Sequence, residues 1–340
     1  MWLANNHTPY AVERTFTADL EGRDVWLVVV KGTFRIRPDG STAVAEEQVP
    51  VRQELKHRGA PPETSLLYES DVVLSKKNTD VLLEGHAYAP GGRDAAQVDV
   101  MMQVGKLKKI ARVWGDRAWT PGMLGLKLTD PLPFRKMPLT WERAYGGTDL
   151  ISDNKKLHDW EPRNPVGAGF GVQSEHVVGR KAPNVEDPSD LISSWKDRPR
   201  PIGFGPVARH WLPRRKYAGT YDEKWEKERQ PLLPKDFDER FNQVASEDQQ
   251  AQGLLKGGEP VELFNLSASG YLKFDLPRVA LRFVTWIGSQ PTEHRASLHT
   301  VLLEPDVPRV ILVWQTAVPC QGKKLKIRST EIRKKEYVEL

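Results

Sequence analysis

The sequence predicts a mainly β protein, with a sandwich-like antiparallel core and a long irregular segment that contains short helices. Runs rich in β-branched and aromatic residues fill much of residues 1–120 and return over residues 259–340. Turn residues separate these runs at short intervals, which is typical of hairpins. Between them, residues 121–258 have short strand patterns and frequent glycine and proline. We therefore expect an N-terminal β part, an irregular middle part packed on the core, and C-terminal hairpins that complete the core.

Two runs predict strands in the middle of a sheet. Residues 10–37 read as paired strands with a turn at 21–24, and the second strand, 25–36, is VWLVVVKGTFRI. Its first half is apolar on both faces, as in a strand that is covered on both sides. Residues 309–315, RVILVWQ, have the same character. We expect both runs to be central strands of one β core.

Shorter runs predict hairpins around this centre. Apolar residues alternate with polar ones over much of 98–104, and Gly105-Lys106 turns this run into a second one at 107–114. The same signals predict hairpins from 261–266 to 271–276 and from 297–304 to 309–315, and a last strand at 325–328 in a charged tail.

One stretch inside the middle part has an unusual composition. Residues 199–249, here called the aromatic segment, contain many prolines, glycines and large aromatic residues. A disordered linker is poor in aromatic residues, so we expect this segment to be folded onto the core. Thr220 with Glu223, and Asp236 with Glu239, have the spacing of capping boxes and predict two short helices.

The aromatic segment also interleaves arginines with aromatic residues, a combination enriched in protein interfaces. Burial at the edge of the core explains many such aromatics equally well. The candidate partner-binding residues are Arg209, Trp211, Arg214, Arg215, Tyr217, Trp225, Phe237, Arg240 and Phe241.

Composition limits the class of protein. The 340 residues have a formal net charge of +5, which is too diffuse to indicate nucleic-acid binding. Cys320 is the single cysteine, so the sequence predicts no disulfide framework and no cysteine-based zinc site. The N-terminus lacks a secretory pattern, and the longest apolar run, 25–30, is too short to span a bilayer. We expect a cytoplasmic protein without membrane insertion, metal or cofactor.

Catalytic motifs are missing from the sequence. There is no GxSxG, no phosphate-binding loop of the Walker type and no HExxH. Glycines at 167–171 resemble half a phosphate loop, but no strand precedes them and no helix follows. Carboxylates of the aromatic segment could supply an acid–base pair, which keeps a hydrolase open as an alternative. Its arginines could contact nucleic acid, but neighbouring carboxylates would repel a phosphate chain.

Several motifs together resemble a known family. They are VVVKGTF (28–34), KKNTDVLLEGHAYAP (76–90), GDRAW (115–119), PLTWERAYGG (138–147), NPVGAGF (164–170), PIGFGPVARHW (201–211), YAGTYDEKW (217–225), LPKDFDERF (233–241) and TVLLEPDVPRVILVWQ (300–315). In this order they resemble the DUF-type accessory proteins encoded beside the VgrG, PAAR and effector genes of bacterial type VI secretion systems. The resemblance covers nearly the whole chain.

This resemblance implies a chaperone or adaptor rather than an enzyme. Members are regarded as holding a secreted effector, or its PAAR-type head, in the cytoplasm and assisting its loading onto the VgrG spike. The family has no established catalytic residues, so the resemblance implies none here. A structural component of the secretion apparatus remains a further alternative.

Overall fold

The computed structural model describes residues 3–335, and its central sheet joins strands from both ends of the chain. The order across the six-stranded sheet is Ala11–Ala18, Asp24–Ile36, Arg309–Pro319, Ser297–Glu304 and Asp80–Leu83, with Thr42–Val44 beside Asp24–Ile36. Asp24–Ile36 and Arg309–Pro319 are each paired on both sides. The prediction of two central strands is confirmed.

Two further sheets pack around this one. The five-stranded sheet has the order Val185–Glu186, Leu107–Trp114, Gln97–Val104, Pro260–Phe264 and Tyr271–Asp275, and the four-stranded sheet has the order Leu3–Asn6, Ile327–Lys334, Leu281–Ile287 and Gln290–His294. The predicted hairpins are all present. Most pairings are antiparallel, but Asp80–Leu83 and Leu3–Asn6 pair in parallel with their neighbours.

The remaining elements are short. Two-stranded pairs are formed by Lys56–His57 with Leu66–Tyr68, His86–Tyr88 with Lys136–Pro138, Trp119–Gly122 with Gly125–Leu128, Tyr145–Gly146 with Ala168–Gly169, and Thr148–Asp149 with Asp159–Trp160. The α-helices are Ser174–Val177, Leu212–Arg215 and Glu223–Glu228, and the 3₁₀ helices are Pro90–Gly92, Trp141–Arg143, Lys155–Leu157, Glu239–Asn242, Glu247–Gln249 and Lys324–Lys326.

The apolar faces of the three larger sheets meet in one core. Alternate residues along each strand point into it, as the pleat requires. Representative members are Val28, Val30 and Leu312 from the central sheet, Val100, Met102 and Leu263 from the five-stranded sheet, and Phe283 and Ile332 from the four-stranded sheet. Trp26 also donates its indole N–H to Thr330 Oγ1 at 2.8 Å, which links two of the sheets. The predicted fold class, a mainly β sandwich-like core, is confirmed.

The second face of the central sheet is covered by irregular chain. Leu82, Leu302 and Ile311 pack there against Val244 and Ala245 at the end of the aromatic segment. Covering both faces explains why the central strands are apolar throughout. The aromatic segment therefore replaces solvent over one side of the sheet.

Three predicted element boundaries were wrong. The first helix of the aromatic segment begins after Asp222, whose carboxylate accepts from Trp225 N at 2.8 Å, rather than after Thr220. The second begins after Asp238 rather than Asp236. Thr220 and Asp236 bond to each other instead and close the loop between the helices, with Thr220 Oγ1 donating at 2.7 Å.

The last strand is Ile327–Lys334 rather than 325–328, and the end of the charged tail, 336–340, lies outside the described residues.

Candidate functional site

A buried lysine fastens the aromatic segment to the five-stranded sheet. Lys109 lies on strand Leu107–Trp114 and is 3% exposed. Its ammonium donates to Gly203 O at 2.6 Å, Gln249 Oε1 at 2.8 Å and Asp248 Oδ1 at 3.1 Å. Burial lowers the pKa of Lys109, although the Asp248 carboxylate opposes the shift. One side chain thus holds both ends of the segment.

A buried carboxylate attaches the aromatic segment to the central sheet. Asp80 begins the edge strand Asp80–Leu83 and is fully buried. It accepts from Lys76 Nζ at 2.6 Å, Gln243 Nε2 at 2.9 Å and Val244 N at 2.9 Å. A buried carboxylate must be paired in this way because its desolvation is costly. We call the groups around Lys109 and Asp80, and the Glu69 group described next, the polar clips.

The third polar clip joins Glu69 to two of the candidate arginines. Arg214 donates to Glu69 Oε2 at 2.7 Å and Arg209 donates to Glu69 Oε1 at 2.8 Å. Arg214 also donates to the carbonyls of Val207 and Phe241 at 2.8 and 3.0 Å. Burial opposes ionisation of Glu69, but the two guanidinium groups outweigh it and hold the pKa of that carboxyl below its usual value.

An open cleft of about 460 Å³ lies beside this third clip. One wall comes from the turn and strands around 17–27 and from residues 72–74, and the other comes from the aromatic segment. The cleft brings together four candidate residues, Arg209, Arg214, Phe237 and Phe241. We call it the Phe237 cleft.

The walls of the Phe237 cleft combine apolar surface with the guanidinium groups of Arg23, Arg209 and Arg214. Its apolar lining consists of Leu20, Leu27, Val72, Val73, Leu74, Leu233, Phe237 and Phe241. Phe237 and Phe241 pack edge to face with ring centroids 5.7 Å apart, and the Arg214 guanidinium lies 5.1 Å from the Phe241 ring. Neither phenylalanine is fully buried. Such a surface suits an apolar side chain that is flanked by an acceptor.

Tyr217 and Arg240 form a smaller group next to this cleft. The Arg240 guanidinium lies 4.3 Å from the Tyr217 ring, and both residues line a recess of about 180 Å³ together with Arg214. Arg240 also donates to Asp238, which lowers the pKa of Asp238 to about 2. Arg240 is exposed to solvent, and Tyr217 is half-buried.

The other candidate residues are separated from these. Trp211 is 1% exposed and packs edge to face on Trp141 at 5.5 Å, so it belongs to a second small core. The expectation that it lies at a binding surface does not fit its position. Trp225 is half-buried and donates its indole N–H to Leu232 O at 2.8 Å. Arg215 is exposed at the end of helix Leu212–Arg215.

Sequence reasoning missed the wall of the Phe237 cleft that comes from outside the aromatic segment. Leu20, Leu27 and Glu69 are far away in sequence and come close only through the fold. One feature of the sequence indicated that Glu69 has a charged partner. Its carboxylate follows directly after the apolar run Leu66–Tyr68. A charged residue in that setting is rarely buried without a partner.

A second cleft, also of about 460 Å³, opens on another side of the aromatic segment. Trp141, Leu212 and Pro213 line it together with Arg163, Arg200 and Lys216. Arg163 is engaged by Glu161 at 2.6 Å and Arg200 by Asp187 at 3.1 Å. Both guanidinium groups are therefore paired within the protein, as Arg209 and Arg214 are with Glu69 in the Phe237 cleft.

Three carboxylates of the aromatic segment lack the raised pKa of a general acid. Hydrogen bonds lower the pKa of Asp236 and Asp238, and at Asp248 the Lys109 ammonium outweighs burial and lowers the pKa as well. A catalytic acid needs the opposite shift. Within residues 3–335 no three histidine, cysteine or acidic side chains gather as a metal site. The described part of the chain has no helix with the length and apolarity needed to cross a membrane.

Comparison with known protein families gave a match over most of the chain. A family model described as "Uncharacterized protein conserved in bacteria (DUF2169)" matches residues 21–315. Neither the curated proteins nor the solved structures gave a match. The matched stretch contains the whole aromatic segment, all three polar clips and most of the Phe237 cleft.

Proposed function

The chain belongs to the DUF2169 family of bacterial proteins, and we propose that it acts by binding another protein rather than by catalysing a reaction. The observation that carries this proposal is the Phe237 cleft. Leu20, Phe237 and Phe241 are only half-buried there and Arg209 is exposed, although Arg214 is buried behind them. Aromatic residues and arginines contribute most of the binding energy at protein interfaces.

The proposed partner is a secreted effector of a type VI secretion system, or its PAAR-type head. The resemblance of the motifs at 76–90, 138–147 and 201–211 to accessory proteins of those systems supports this partner. In this role the protein holds the effector in the cytoplasm and assists its loading onto the VgrG spike. The Phe237 cleft then receives an apolar side chain of the effector, and Arg209 receives a neighbouring acceptor.

Replacing residues on both walls of the cleft tests this proposal. Phe237→Ser and Leu20→Ser remove apolar surface from opposite walls. We expect each variant to retain at least about tenfold less of the effector encoded beside the gene when the two are co-expressed and purified. Tyr221→Ser is the matched control, because Tyr221 is 54% exposed on the aromatic segment but lies outside the cleft.

Melting temperature measured on the same samples separates binding from folding. The proposal requires variants that melt near the wild-type temperature and still lose the effector. It fails if every variant that loses the effector has also lost its fold, or if Phe237→Ser binds as well as Tyr221→Ser. Secretion of the protein together with the spike would instead indicate a structural component.

A further inference from the structure

The outer face of the five-stranded sheet carries a row of exposed apolar side chains. Ile110 lies opposite Met101, Met101 lies opposite Phe264, and Phe264 lies opposite Tyr271. The row therefore crosses four adjacent strands at one level. Ile110, Phe264 and Tyr271 are 43%, 48% and 47% exposed, which is unusual for large apolar residues placed side by side.

Charged residues flank this row on both sides. On one side Arg112 pairs with Asp99 at 2.8 Å, so their charges cancel. On the other side Lys273 pairs with Glu262 at 3.2 Å, while Lys108 has no carboxylate within ion-pair distance among the described residues. An apolar centre with a charged rim is the usual anatomy of a protein interface. The unpaired charge directly beside Ile110 is the positive charge of Lys108, whereas the exposed carboxylate of Asp275 lies three strands away.

A second copy of the chain does not fit this face. Two-fold axes that superpose the row on itself run either along the strands or along the row. Lys108 and Lys273 are the two ends of the next row of outward-facing residues, which runs parallel to the apolar row. An axis along the strands therefore places Lys108 against Lys273 of the other copy. An axis along the row places Lys108 against Arg112 of the other copy. Both arrangements place the cation of an ion pair, rather than a free carboxylate, opposite Lys108, so a second copy leaves Lys108 without a partner.

We propose that this face binds an amphipathic helix of a partner protein, with acidic residues beside its apolar stripe. Neighbouring strands are spaced by about 4.8 Å, so the row from Ile110 to Tyr271 is about 14 Å long. A helix of about ten residues has this length, and its apolar side chains recur about every 5.4 Å along the axis. The acidic side of such a helix complements Lys108.

This surface is distinct from the Phe237 cleft, because the two share no residue. The inference does not depend on the identity of the effector, and its test needs no effector.

Two designed peptides of about 14 residues test this inference. Both are helical and carry a leucine stripe at i, i+3, i+7 and i+10, flanked by glutamate in one peptide and by lysine in the other. Fluorescence anisotropy measures their binding to the purified protein. We expect the acidic peptide to bind more tightly, and Phe264→Ser and Ile110→Ser each to weaken it at least about tenfold. Lys108→Glu should remove the preference for the acidic peptide.

Leu325→Ser is the matched control, because Leu325 is 88% exposed outside the five-stranded sheet. It should bind the acidic peptide as the wild type does. The inference is overturned if the wild type binds neither peptide, binds both equally, or is unaffected by Phe264→Ser. Sedimentation that shows a dimer dissolved by Phe264→Ser would assign the face to a second copy instead.

Discussion

The central sheet and the aromatic segment are stabilised in different ways. Asp24–Ile36 is hydrogen-bonded along its length to strands on both sides and is buried on both faces. The aromatic segment has only short helices, and three polar clips hold it to the sheets through Lys109, Asp80 and Glu69. Each clip joins residues that are far apart in sequence.

This difference predicts different behaviour for the two regions. Breaking one ladder bond leaves many others in the same strand, whereas breaking one clip removes most of the polar attachment at that point. Residues 215–242 of the aromatic segment are mostly exposed or half-buried, and such elements open locally at lower free energy than the core strands do. We therefore expect the aromatic segment to open before the sheet, which suits a region that must receive a partner.

The largest expected effect tests whether the aromatic segment also has an apolar anchor. Trp211→Ala removes an indole that is 1% exposed and packs against Trp141. We expect the free energy of unfolding to fall by about 3–5 kcal/mol, because the cavity cannot be refilled by neighbouring side chains. Urea denaturation measures the change. Trp160→Ala, at a tryptophan that is 49% exposed, should change it by less than about 0.5 kcal/mol.

If Trp211→Ala behaved like Trp160→Ala, the small core around Trp141 would contribute little to stability. The aromatic segment would then depend on the polar clips and on the apolar contacts at its two ends, from Phe204 to the main core and from Val244 to the central sheet.

Breaking the third clip should have the next largest effect. Glu69→Gln leaves the buried Arg214 guanidinium without its counter-charge. We expect a loss of about 3 kcal/mol, since an unpaired buried charge is costly. Hydrogen exchange should also accelerate in residues 209–242 more than in the central strands.

Glu239→Gln is the control for this variant. Glu239 lines the same cleft but is exposed, so its replacement should leave both readouts near the wild-type values. Equal acceleration throughout the protein in Glu69→Gln would show that the segment and the sheet unfold as one unit.

A pH titration compares a buried group of the four-stranded sheet with the third clip. Burial lowers the pKa of His294 in the four-stranded sheet to about 4 from an ordinary value of 6.5. Between these pH values the unfolded chain binds the proton and the folded protein does not. Stability from this group is therefore complete above pH 6.5 and is lost as the pH falls towards 4, by up to about 3 kcal/mol.

Glu69 in the third clip responds over a different range. Its pKa lies below the ordinary value of 4.5, so its contribution is present above that pH and is lost only as the pH falls further. Urea denaturation should thus show that the free energy of unfolding decreases between pH 7.5 and pH 5. We expect His294→Gln to reduce this decrease and Glu69→Gln to leave it unchanged. An unchanged pH slope in His294→Gln would contradict this assignment.

The sequence predicted the β core well because its signals are local. Residues 25–36 are apolar on both faces, and the turn at Gly105-Lys106 determines the register of Gln97–Val104 against Leu107–Trp114. The aromatic segment was less predictable, because the role of Trp211 depends on Trp141, which is distant in sequence. The helix boundaries were displaced because Thr220 and Asp236 bond to each other across a loop. A capping pattern alone does not reveal that competing partner.

Hydrogen exchange of the protein with and without the co-expressed effector tests the central claim most directly. That claim is that the aromatic segment and the turn facing it bind the partner, while the sheets act as a scaffold. We predict that the effector slows exchange in residues 17–23, 69–74 and 233–242 and leaves the central strands unchanged. Protection confined to other regions, with the Phe237 cleft exchanging as in the free protein, would contradict the claim.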